Sequence, residues 1–277
     1  MSMRRLGILG YGNIAATLLD ILARDGRARF EQVAILARPG ASERADARLR
    51  TAAEVIAEEV TIHETADAFL AARPDLAVEC ATHDVVRETV PEILKAGCET
   101  VVVSVGAFAD ADTAARIEDA AALGRTRTVL VPGAIGGVDA LAAARIAGIE
   151  TLVYSGRKPP AAWKGTPAEK LLDLDAITSE TVFFEGNARQ AATDYPKNAN
   201  VAATLALAGP GFERTEVRLI ADPGISANVH EYEVRSQSVN FTIQLTGKAS
   251  PDNPKTSMST AYSVAREVMN RLVPIAI

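Results

Sequence analysis

The chain holds 277 residues, and at roughly 150 residues per domain that predicts about two domains. Its 29 Lys and Arg against 35 Asp and Glu leave a net charge of −6, which excludes a general nucleic-acid or anionic-membrane binder. Two cysteines, Cys80 and Cys98, exclude a disulfide framework, and His63, His83 and His230 lack the spacing of a zinc site, so no metal is expected.

The N-terminal stretch meets glycines too early for a signal peptide, and no apolar run approaches the ~20 residues of a membrane span. The chain therefore reads as cytoplasmic. Leu6-Gly7-Ile8-Leu9 predicts a first strand. Ile14, Leu18, Ile21 and Leu22 then recur at helical spacing, and Gly26 ends that helix. Strands follow at Gln32–Leu36, Leu76–Cys80, Thr100–Val105 and Thr128–Val131, with helices at Val85–Ala96 and Thr113–Ala122. Near-continuous Val, Ile and Leu mark strands covered on both faces, as in a parallel sheet. Strand and helix alternating at this spacing predict an α/β fold, a doubly wound Rossmann sheet.

The pattern changes after Gly133. Leu152–Arg157, Thr181–Glu185, Glu216–Ala221, His230–Arg235 and Val239–Thr246 read as strands, and the last two alternate polar with apolar. That period of two belongs to a sheet with one exposed face. The expectation is a Rossmann domain over 1–133, then an α+β domain with a mixed or antiparallel sheet over 134–256. A final helix within 257–277 is expected to return to the first domain. Phe241, Ile243 and Leu245 need a cover, from another domain face or a second subunit.

Gly10-Tyr11-Gly12-Asn13-Ile14-Ala15 follows the first strand and opens the first helix. Glycine at the first position allows the tight turn, and glycine at the second lets the backbone approach a pyrophosphate. The helix N-terminus then supplies free N–H groups. The expected cofactor contacts are Gly10, Tyr11, Gly12, Asn13 and Ile14, with Cys80 and Ala81 at the same edge of the sheet. An acid that bonds the ribose 2′-OH is missing from the end of the second strand, where Leu36-Ala37-Arg38-Pro39-Gly40 stands instead. Arg38 suits a 2′-phosphate, so NADP is expected to be accepted alongside NAD. A solvated loop arginine is the alternative.

The later motifs carry a resemblance. They are Gly133-Ala134-Ile135-Gly136, Gly156-Arg157-Lys158-Pro159 with Trp163, and Tyr195-Pro196-Lys197-Asn198-Ala199-Asn200. Ala221-Asp222-Pro223, Asn228-Val229-His230-Glu231 and Asn253-Pro254-Lys255-Thr256-Ser257 complete the set. In this order they resemble the L-aspartate dehydrogenase family over nearly the whole chain. The resemblance implies NAD(P)-dependent, reversible oxidative deamination of L-aspartate to iminoaspartate, then oxaloacetate and ammonia. It also implies a homodimer and a link to NAD biosynthesis. The family's catalytic histidine falls on His230, and its cofactor contacts fall on Ala134 and Asn200.

An ordinary histidine titrates near pH ~6.5 and exchanges protons at neutral pH, as a base in this reaction must. His83 is a weaker candidate and His63 reads as structural. A dicarboxylic amino acid needs cationic and amide donors. Lys158, Lys197, Asn198 and Lys255 are the expected set, with helix capping or plain solvation as the alternative for each. Two other functions fit the same scaffold. One is an NAD(P)-dependent oxidoreductase of the homoserine dehydrogenase or dihydrodipicolinate reductase type. The other is a non-catalytic dinucleotide sensor.

Overall fold

The computed structural model describes residues 3–196, 200–250 and 253–276. The chain divides into two compact units. One takes in the chain up to Val131 together with the stretch from Thr260 onward, and the other runs Pro132–Ser259.

The first unit strings together β1 (Arg5–Leu9), α1 (Asn13–Asp25), β2 (Phe30–Leu36), α2 (Ser42–Ile56), β3 (Ala57–His63), α3 (Ala66–Ala71) and β4 (Leu76–Glu79). It continues through α4 (His83–Glu88), α5 (Val90–Lys95), β5 (Glu99–Val102), α6 (Ala111–Gly124) and β6 (Thr128–Leu130). All six strands are parallel, in the order β3-β2-β1-β4-β5-β6. This is the doubly wound order, with its switch point between β1 and β4. Leu6 and Ile8 enter a core shared with Leu18, Leu22 and Val33, while Leu9 joins Ala34, Phe69 and Ile93 in a second. Both faces of the sheet are thus buried, as the continuous apolar runs require.

Three local readings change. Five strands are expected here and six are found. The sixth, β3, is an edge strand paired only with β2, and Glu58 and Glu59 face solvent, so it lacks an apolar run. The expected helix Val85–Ala96 is broken at Thr89, because Pro91 has no N–H to offer the Arg87 carbonyl. Arg116 donates to that carbonyl instead, at 2.8 Å. The expected strand Thr100–Val105 stops at Val102. Buried Glu79 takes the N–H groups of Val103 and Ser104, at 3.1 and 2.9 Å, and turns the chain there.

The second unit holds α7 (Val138–Ala147), β7 (Ile149–Lys158), β8 (Thr181–Asn187), α8 (Ala188–Asp194), α9 (Asn200–Ala208), β9 (Thr215–Ala221), β10 (Val229–Ser236) and β11 (Phe241–Thr246). A short hairpin of β12 (Ala249–Ser250) and β13 (Asn253–Ser257) follows. The main sheet is mixed, in the order β11-β10-β7-β9-β8, and only β7 and β9 run parallel. The helix α8 is started by a capping box of Asn187 and Gln190. Ile243 and Leu245 pack over Gly137 and Gly136 of their own unit, and Phe241 meets Tyr232 edge-on at 5.9 Å. The unit therefore supplies part of their cover, and all three stay half-buried. The last helix, α10 (Met258–Met269), buries Val264, Ala265 and Val268 in the core of the first unit.

Candidate active site

In the first unit the segment Gly10 to Asn13 links β1 to α1 at the C-terminal edge of the sheet. Gly10 has φ +100°, and a Cβ there would stand 2.9 Å from the Cys80 carbonyl oxygen and 3.0 Å from the Ala81 Cβ. Only glycine fits such a turn and such an approach. Gly12 is the N-cap of α1, with no side-chain cap and no acid in the first turn. The first N–H groups of the helix are thus left for an anion, and a Cβ at Gly12 would meet nothing closer than 4.0 Å. This geometry fits the pyrophosphate of a dinucleotide.

A cavity of about 650 Å³ opens beside this loop, lined by Tyr11, Gly12, Asn13, Arg44, Ala47 and Arg48. Arg44 and Arg48 stand one turn apart on α2, so both reach the loop side. The Arg48 guanidinium donates to the Asn13 side-chain oxygen. Arg38 is exposed at the end of β2, and neither it nor the more informative α2 pair faces a partner acid among the described residues. Cys80 sends its thiol into the core, where burial raises the thiol pKa well above its usual value, so its carbonyl is what meets the loop. Ala81 is fixed by its N–H to Glu79 at 2.7 Å. Glu79 is fully buried and also accepts from Ser104 Oγ at 2.9 Å, making four donors in all. Burial pushes its pKa up, and those donors oppose the rise.

In the second unit, alternate residues of β7 place Tyr154, Gly156 and Lys158 on one face of the sheet. His230 on β10 pairs with Gly156 on one side and Leu245 on the other. His230 is 6% exposed, and its Nδ1 lies 2.8 Å from the Tyr154 hydroxyl. Burial first, and then the positive charge of Lys158, pull the imidazole down from 6.5 to about 4. At neutral pH this ring is an uncharged base rather than the half-titrated group expected of an ordinary histidine. Lys158 keeps part of its surface in solvent, yet burial of its ammonium lowers it from 10.5 to about 8. The ammonium stands 4.8 Å over the ring of Trp163, which is fully buried and donates from Nε1 to the Ile220 carbonyl at 3.0 Å. Arg157 points elsewhere and is neutralised by Glu180 and Asp222.

Of the expected substrate donors, Lys158 is thus beside His230. Lys197 and Asn198 lie outside the described residues, as does the side chain of Lys255. Ala134 sits in the turn after β6, and the Tyr232 hydroxyl ties that turn to β10 by donating to the Gly136 carbonyl at 2.9 Å. Asn200 is exposed and opens α9, its carbonyl accepting from Thr204 Oγ1 at 2.9 Å. His63 ends β3, its Nε2 2.9 Å from Thr61 Oγ1, and His83 opens α4. The sequence reading passed over Tyr154, Glu79, Arg44 and Arg48. Only the two arginines left a signal, as cations four apart on a helix face.

A family model described as "Aspartate dehydrogenase, C-terminal" matches residues 139–271, and one described as "Homoserine dehydrogenase, NAD binding domain" matches residues 10–131. The chain is 46% identical to the L-aspartate dehydrogenase of Ralstonia nicotianae, over 99% of this chain and 100% of that protein. It is 44% identical to the L-aspartate dehydrogenase of Pseudomonas aeruginosa with the same coverage. The crystal structure of aspartate dehydrogenase from Thermotoga maritima superposes with a TM-score of 0.73 at 27% identity, covering 100% of both chains. A dihydrodipicolinate reductase from Paenisporosarcina is similar in fold, with a TM-score of 0.51 at 13% identity over 98% of this chain and 94% of that one.

Proposed function

This chain belongs to the L-aspartate dehydrogenase family, and on that premise we propose how its residues divide the reaction. It is an NAD(P)-dependent oxidoreductase for the reversible oxidative deamination of L-aspartate. The nicotinamide supplies the hydride acceptor when bound. The residues of this chain bind, orient and move protons.

One observation carries the assignment of roles: His230 is a buried, uncharged imidazole beside the Lys158 ammonium. Hydride leaves C2 only when the substrate amine is unprotonated. A fixed positive charge disfavours the ammonium form of the amine, as it disfavours the protonated ring. Lys158 binds a substrate carboxylate and favours the free amine by the same charge. His230 then takes a proton from the water that adds to the imine carbon, after which ammonia leaves. Lys197, Asn198 and Lys255 are the further carboxylate donors, and Ala134 and Asn200 the further cofactor contacts, in this reading. Replacing Lys158 with methionine is expected to raise KM for L-aspartate about 10- to 100-fold, the worth of a charge-assisted hydrogen bond. It is also expected to raise the His230 pKa, read by imidazole NMR. An unchanged KM would remove Lys158 from the substrate site.

For the cofactor, Gly10, Gly12, Asn13 and Ile14 hold the pyrophosphate, and Arg44 and Arg48 hold the phosphate on the adenosine ribose. Arg38 adds charge nearby. NADP is therefore taken at least as readily as NAD. Alanine at Arg44 or Arg48 is expected to weaken NADPH about 10-fold or more while moving NADH less than about 2-fold, by fluorescence titration. Equal losses for both cofactors would place these side chains at the pyrophosphate instead. A homodimer in the cytoplasm completes the reading and rests on the family likeness. No described helix is long and apolar enough to cross a membrane.

A further inference from the structure

We infer that Tyr154 and Gly156 form a positioning pair that holds His230 by Nδ1 and confines its proton exchange to Nε2. The inference rests on the assignment of His230 as the base, and it says how that base is held.

Tyr154 and Gly156 are alternate residues of β7, and Gly156 is the register partner of His230 across the β7–β10 ladder. A Cβ at Gly156 would stand 2.8 Å from the Tyr154 hydroxyl oxygen, 3.2 Å from its Cζ and 3.3 Å from Leu219 Cδ2. The hydroxyl therefore occupies the space that any side chain at 156 would fill. From there it reaches Nδ1 of His230 at 2.8 Å, with the two rings only 17° from parallel. Glycine at 156 is what lets one strand offer a hydroxyl to a ring on the next. Tyr154 is 1% exposed, so its hydroxyl has no solvent to turn to. The tyrosine opposite it in register, Tyr232, sends its own hydroxyl away to Gly136. Nε2 of His230 has no partner among the described residues.

The chemistry of the pair follows from what a phenol is. A ring that exchanges its proton at Nε2 keeps a hydrogen on Nδ1 both before and after the exchange. Its partner at Nδ1 must then accept in both states, which a phenolic oxygen does. While the ring is uncharged this leaves the buried Tyr154 O–H without an acceptor among the described residues, the cost of keeping Nε2 bare. A carboxylate would accept equally well, but its charge would raise the basicity of the ring. The phenol orients the ring and adds no charge. Burial holds the Tyr154 hydroxyl protonated by pushing its pKa up, so it stays neutral over the working range.

The test combines Tyr154→Phe, Gly156→Ala and the double variant with nitrogen NMR of the His230 imidazole. In the unaltered enzyme the spectrum is expected to show hydrogen on Nδ1 and a bare Nε2. Tyr154→Phe removes one oxygen and no volume the core needs. It is expected to lower kcat about 10- to 100-fold, with KM for L-aspartate and Kd for NADH unchanged, and to shift the imidazole toward the other tautomer. Gly156→Ala is expected to do the same from the opposite side. The double variant is expected to be no slower than the slower single, because both break one contact. A hydrogen on Nε2 in the unaltered enzyme overturns the inference. So does a Tyr154→Phe enzyme with unchanged kcat and spectrum, or a kcat loss without a tautomer change. His230→Ala serves as the separate control: full turnover in that variant removes the base itself, whatever the tyrosine does.

Discussion

His230→Ala is expected to lower kcat by about 10²- to 10⁴-fold, the usual span for loss of a general base, while the Kd of NADH stays as it was. The ring is buried in the second unit, whereas the phosphate loop belongs to the first. The pH dependence follows from the same burial. With its pKa at about 4 rather than 6.5, the native ring stays uncharged over a window in which the unfolded chain takes up a proton. Stability therefore falls as the pH drops from 6.5 to about 4, by about 3 kcal/mol from this group, and the loss is complete below that window. Denaturant titrations at both ends, compared with His230→Asn, isolate the contribution. A variant with the same acid sensitivity as the unaltered chain would mean that the ring is not held uncharged.

Glu79→Gln is expected to cost the first unit about 2–5 kcal/mol, since two of the four donors around the carboxylate then face an amide NH2 group. For a unit of this size that lowers Tm by about 10 °C in calorimetry. The consequence reaches the cofactor edge of the sheet, because the same carboxylate fixes Ala81 and turns the chain after Val102. Cofactor affinity is expected to fall with stability in this variant. A Tm within a degree of the original would show that the chain turns at Val103 without Glu79.

Much of this was legible in the residues. The apolar runs of β1, β2, β4 and β5 are covered on both faces, so burial itself wrote them into the sequence. The strand β3 was not legible, because an edge strand keeps glutamates in solvent and α2 passes into it without a breaking residue. The site shows the same division. Gly10 to Ile14 stood out by residue type and spacing, whereas the reading of His230 as the base rested on the family resemblance. The partner of His230 lies 76 positions away in sequence, on a strand that pairs with its own only in the folded sheet. The low basicity of the ring was equally hidden, since it arises from burial and from Lys158 and not from any neighbour along the chain. Arg44 and Arg48 look like a solvated helix face until α2 is packed against α1.

The most direct measurement follows the near-ultraviolet absorbance of reduced nicotinamide with the purified protein and L-aspartate, with NAD and NADP in turn. L-homoserine and L-glutamate are the controls, and oxaloacetate with ammonia and reduced cofactor runs the reverse. Absorbance that grows with L-aspartate and not with the controls is the predicted result. Tight cofactor binding without turnover of L-aspartate in either direction would contradict the account.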